Sequence, residues 1–128
     1  MVGFGVGEYQ MIDYPFTVIV QFRNSAANSG LGTLDELDWR HTVEDQLGGL
    51  LEEAGIGECD GGQSGAGTME VFLYTSDRDR TVRLVQDDLT DRELIGFTKI
   101  VSASNDDSET DFAVHYPQGG TFSLWRFE

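Results

Sequence analysis

Residues 47–74 read LGGLLEEAGIGECDGGQSGAGTMEVFLY, and the fold turns on how this stretch is parsed. Leu47, Leu50 and Ala54 continue a helical spacing that begins at Val43, and Leu37 and Trp39 extend the apolar side. Glu44, Asp45, Glu52 and Glu53 fall on the other side. Gly55 is a natural helix stop, because glycine adopts the left-handed conformation without a Cβ penalty. Gly48 and Gly49 sit inside the helical run, where each costs about 1 kcal/mol relative to alanine. A cost of that size predicts that the helix approaches a sheet closely there. Ile56–Asp60 then reads as a short strand and Gly61–Gly67 as a glycine-rich turn, too long for a two-residue hairpin. Thr68–Thr75 alternates Met69, Val71 and Leu73 with Glu70, Phe72 and Tyr74. Large side chains on both faces place that strand inside the sheet.

Upstream, Pro15 opens Phe16–Arg23, rich in β-branched and aromatic residues and read as a central strand. Thr33-Leu-Asp-Glu36 fits a capping box and starts the helix that runs to Ala54. Downstream, Ser76 or Asp77 caps a second helix through about Leu89, with Val82, Val85 and Leu89 as its buried stripe. Leu94–Ala103 reads as another strand and Asn105–Asp111 as an acidic loop. Phe112–Tyr116, the turn Pro117–Gly120 and Thr121–Phe127 make a terminal hairpin. Residues 1–14, with Gly3, Gly5 and Gly7, are either an edge strand or a flexible tail.

This order predicts one α+β domain over residues 1–128: a ferredoxin-like βαββαβ antiparallel sheet, two helices on one face, and a C-terminal β-hairpin. The second sheet face is left for solvent, a ligand or another subunit. The run from Ala54-Gly-Ile-Gly-Glu58 through Asp60-Gly-Gly and Gly65-x-Gly67-x-Met-Glu70-Val-Phe-Leu-Tyr resembles a group of small uncharacterised bacterial proteins of ferredoxin-like type. The likeness covers the middle third of the chain. It implies the fold and carries no catalytic residues. Small acidic proteins of this kind also look like toxin-immunity proteins.

Charge is the unusual quantity. The chain holds 23 Asp and Glu against 8 Lys and Arg, a formal charge of −15. Such a field repels nucleic acid and anionic lipid and attracts basic proteins. An acidic surface with a single lysine, Lys99, equally suits a salty cytoplasm. One cysteine, Cys59, leaves no internal disulfide. The start has no basic, apolar leader, and the longest apolar run is too short to span a bilayer, so the expected location is the cytoplasm.

Sites for chemistry are sparse. The turn Gly61–Gly67 has neither the lysine nor the following helix of a P-loop. Asp60, Ser64 and Gly65 match EF-hand positions, but Gly62 and Val71 stand where two oxygen ligands belong. Cys59, His41 and His115 are scattered singly, without metal-ligand spacing. Glu58 and Asp60 share a strand face, geometry enough for an acid–base pair, although so acidic a chain produces such pairs by chance. Phe112, Tyr116, Phe122, Trp125 and Phe127 either cap the sheet or form a partner surface.

These features point to a non-enzymatic acidic protein-binding module, immunity- or inhibitor-like, docking on a basic partner without cofactor or metal. Its contact residues are expected to be Glu58, Asp60 and Glu70 together with Asp106, Asp107, Glu109 and Asp111. The alternative is a homodimeric small-molecule-binding domain using the second sheet face or the glycine turn.

Overall fold

A computed structural model describes residues 14–23, 36–65, 68–105, 112–120 and 122. Its elements are β1 (Phe16–Arg23), α1 (Glu36–Ala54), β2 (Gly57–Gly65), β3 (Thr68–Thr75), α2 (Arg78–Asp91), a 3₁₀ turn (Ile95–Phe97), β4 (Thr98–Ser104) and β5 (Ala113–Tyr116). The strands form one antiparallel sheet in the order β2-β3-β1-β4-β5. The molecule is therefore α+β, with two helices and a five-stranded antiparallel sheet among the described residues.

Period-two patterning explains which side chains meet the helices. Val18, Val20 and Phe22 of β1, Met69, Val71 and Leu73 of β3, and Ile100 of β4 join Trp39, Val43, Leu47 and Leu51 of α1 and Val85 and Leu89 of α2 in one core. Each such side chain contributes roughly 1.5–3 kcal/mol by leaving water. Phe22 and Trp39 meet edge to face at 5.1 Å, adding about 0.5–1.5 kcal/mol beyond area burial. The buried stripe of α1 is carried by Leu51; Leu50 and Ala54, which the spacing had placed in it, are half-buried. α2 is capped by Asp77, whose carboxylate accepts from the Arg80 backbone N–H at 3.1 Å. Its stripe is Thr81, Val85 and Leu89, with Val82 half-buried. Gly55 closes α1 at φ +71°, as expected of a C′ glycine.

The largest departure is in the glycine-rich segment. β2 continues through Gly65, so Gly61–Gly65 are strand and not turn. Gly65 pairs with Thr68, so the ladder with β3 takes in most of the expected turn. The register steps between Cys59 and Gly61, making Asp60 the extra residue of a β-bulge, with Gly61 at φ +108°. A side chain at Gly57 or Gly62 would strike the backbone oxygen of Tyr74 or Glu70 on β3. Glycine here permits close strand approach, a use that composition alone does not separate from a turn.

A second departure concerns the sheet face turned away from the helices. Ile19, Gln21, Glu70, Lys99 and Val101 occupy its centre, and all five are at most 4% exposed. That face is not an open platform. The start of the expected fourth strand is also different, because Ile95–Phe97 form a 3₁₀ turn and pairing begins at Thr98.

β5 extends the sheet along β4. The second arm of the expected hairpin, the capping box at Thr33 and most of residues 1–14 lie outside the described residues, as does the acidic loop. Among the described residues, no helix is long and apolar enough to cross a membrane.

Candidate acidic docking edge

β2 lies at one margin of the sheet, and among the described residues no strand pairs with its outer side. α1 packs across it because Gly48 has no side chain. A Cβ there would come within 2.9 Å of the Cys59 Cβ. One turn earlier, the Arg40–Glu44 ion pair (3.0 Å) lies over Gly62, where a Cβ would fall 2.8 Å from a Glu44 carboxylate oxygen. The helix interior thus uses one of its two glycines to reach the sheet.

The other glycine has no such role. Gly49 is exposed, and a Cβ built there meets nothing within 4 Å. It lines an open groove of about 370 Å³ between α1 and β2, together with Gly48, Cys59 and Gly61 on the floor and Glu44, Asp45 and Glu52 on the walls. These three carboxylates were not among the expected contact residues. The 45, 48/49, 52 spacing, which puts acids and glycines on one helical face, was the signal that could have found them.

Across the strand, Glu58 and Asp60 are exposed on the opposite side of β2. Glu58 pairs with Tyr74 in register, and Asp60 accepts a hydrogen bond from the Tyr74 side chain. This bond, then burial and the two nearby carboxylates, pushes the Tyr74 phenol above its usual pKa. Tyr14 packs against Tyr74 with ring centroids 6.4 Å apart. The edge strand is therefore flanked by carboxylates on both of its faces.

Glu70, the third expected contact in this region, is elsewhere. Its carboxylate is fully buried and accepts from the side-chain amides of Gln21 at 2.8 Å and Gln63 at 2.5 Å. Gln63, Glu70, Gln21 and Lys99 stand opposite one another in register, forming a polar row across four strands. A carboxylate held in that row is a structural partner inside the chain and not a surface contact. Asp106, Asp107, Glu109 and Asp111 lie outside the described residues.

The Cys59 thiol is half-buried and raised above its ordinary pKa, chiefly by burial, with Glu44, Asp60 and Asp45 adding to the effect against a lowering backbone hydrogen bond at Gly61. It is held as a thiol and not as an activated nucleophile. His115 lies 2.8 Å from the Ser102 hydroxyl, but Ser102 is only 3% exposed and its oxygen is not presented to a substrate. Burial, followed by the Arg78 charge, lowers the His115 pKa, and Asp79 opposes this in part. His41 is exposed on α1. Among the described residues, no group of three His, Cys, Asp or Glu side chains is placed to hold a metal. No family model matches the chain, and neither a curated protein nor a solved structure matches it.

Proposed function

We propose that this chain is a non-enzymatic acidic module that docks on a basic protein through the α1–β2 side of the molecule, as an immunity protein or inhibitor would. The observation that carries this reading is the set of carboxylates on both sides of one sheet margin: Glu44, Asp45 and Glu52 at the groove, Glu58 and Asp60 across the strand. Within a chain of charge −15, they line a sheet margin that no strand among the described residues covers. Opposite charge steers encounter and fixes orientation, and its main signature is a salt-sensitive association rate. The lone thiol and the absence of a disulfide fit an intracellular site of action.

The fold reading that accompanies this is ferredoxin-like. Its support is the interleaving of β1-α1-β2 with β3-α2-β4, in which β3 separates β1 from β2 and β1 separates β3 from β4, with β5 added outside.

The test is to capture the partner from the host at low salt, identify it, and measure its association rate with the wild-type protein and with the Glu58→Lys/Asp60→Lys variant. The expected result is a basic partner and an on-rate lowered by about an order of magnitude in the variant at low salt, the difference shrinking as salt rises. Equal on-rates for the two proteins would remove this reading.

A further inference from the structure

We propose that the outer side of β2 receives an extended, lysine- or arginine-rich segment of another protein as an added strand. This rests on the acidic-docking reading above and specifies its occupant. Strand addition needs an unpaired edge, and β2 is one among the described residues. It also needs room beside that edge for side chains that alternate from face to face. On the α1 face, the groove supplies the room, and the exposed Asp45 and Glu52 supply acceptors beside the Arg40–Glu44 ion pair. On the other face, Glu58 and Asp60 stand exposed. Successive side chains of an added strand thus meet carboxylates on either side, and a segment with basic residues at both parities is matched throughout.

Gly49 gives the independent argument. Glycine inside a helix is unfavourable, and Gly48 is accounted for by its approach to Cys59. Gly49 touches nothing with its missing side chain, yet it opens the groove wall directly beside β2. A residue kept small against empty space makes physical sense if something outside the chain fills that space. Edge protection against aggregation accounts for the bulge at Asp60 and for the charges, but not for Gly49. Two copies of this chain are poor partners for each other here, because their edges would bring like charges together.

The probe is a synthetic oligolysine peptide, prepared unmodified and with every backbone nitrogen methylated. The two carry the same charge. Added-strand docking predicts that methylation weakens binding about tenfold or more. It also predicts that the amides of residues 57–63 become protected from hydrogen exchange in the complex. Gly49→Leu, which places a helix-forming side chain in open space, should raise the thermal midpoint slightly and weaken the unmodified peptide about tenfold. Equal, salt-sensitive binding of both peptides would overturn strand addition while leaving the acidic-docking reading in place. Failure of every peptide to bind at low salt would overturn both.

Discussion

Gly48 and Gly49 are neighbours with opposite meanings. Helix propensity treats them alike, each favouring alanine by about 1 kcal/mol. Packing separates them. At Gly48, a methyl group would meet the Cys59 Cβ at 2.9 Å, an atom fixed to the β2 backbone and unable to swing aside. Overpacking of this kind costs about 1–3 kcal/mol and outweighs the propensity gain. Gly48→Ala is therefore expected to lower stability in urea unfolding, and Gly49→Ala to raise it by about 0.5–1 kcal/mol. Cys59→Gly should relieve the Gly48→Ala defect, a coupling that the double-mutant cycle measures. Equal stabilisation by both alanines would mean that α1 does not rest on β2 at this point. The close approach was legible in the sequence, because a paired glycine in a helix demands a reason. Which glycine carried it was not, since the answer depends on where Cys59 falls on the facing strand. Glu70 shows the same limit. Alternation placed it on the correct face of β3, but whether that face is wet depends on what covers it, and the structure buries it beside Gln21 and Gln63.

At the scale of elements, the strongly patterned pieces were readable and the glycine-rich one was not. β1, β3 and α2 follow the β-branched runs and the capped helical stripe, because each is fixed by its own periodicity. β2 is fixed by β3. Its residues GECDGGQSG have little strand propensity, and only the ladder to Thr68–Thr75 holds them extended. Of the carboxylates at the β2 margin, Glu58 and Asp60 were singled out by alternation, whereas placing Glu44, Asp45 and Glu52 there needed the packing of α1 on that strand. The β4–β5 pair offers a test of its own. His115, the extra β5 residue at the bulge in this ladder, hydrogen-bonds with the Ser102 side chain and is held below its ordinary pKa of 6.5 by burial and then by Arg78. A base with a depressed folded-state pKa is neutral when folded while the unfolded chain already binds a proton. Stability from this residue is therefore complete above about pH 6.5 and is lost as pH falls through the folded-state value. His115→Gln, which keeps a hydrogen-bonding group without a titrating one, removes that dependence. The stability difference between wild type and variant, followed by urea unfolding from pH 7.5 to 5, should move toward the variant as pH falls. A constant difference would show that the His115 environment does not distinguish the two protonation states.

For the whole molecule, the charge on which the proposed docking rests also opposes folding. Fifteen net negative charges on a 128-residue chain repel one another more strongly in the compact state than in the expanded one. The ion pairs among the described residues do little to offset this. Arg78–Asp79 and Arg92–Asp88 are solvent-exposed pairs of small individual value, whereas Arg40–Glu44 is sheltered. The core and sheet must therefore carry stability against a long-range repulsive field, which salt screens once the Debye length falls from about 30 Å at 0.01 M to about 10 Å at 0.1 M. Raising sodium chloride from about 0.01 to 0.5 M should thus increase the thermal midpoint by roughly 3–8 °C, most of it below about 0.1 M, where screening changes fastest. Chloride is the informative salt because sulfate stabilises proteins by surface exclusion whatever their charge. The Glu58→Lys/Asp60→Lys variant lowers the net charge magnitude by four and should show a higher midpoint at low salt with a smaller salt response. If the midpoint is insensitive to chloride, the carboxylates are spread so that local attractions cancel their repulsion. The field at the β2 margin would then be too weak to steer a basic partner, and the association-rate difference expected of the double lysine variant would vanish with it.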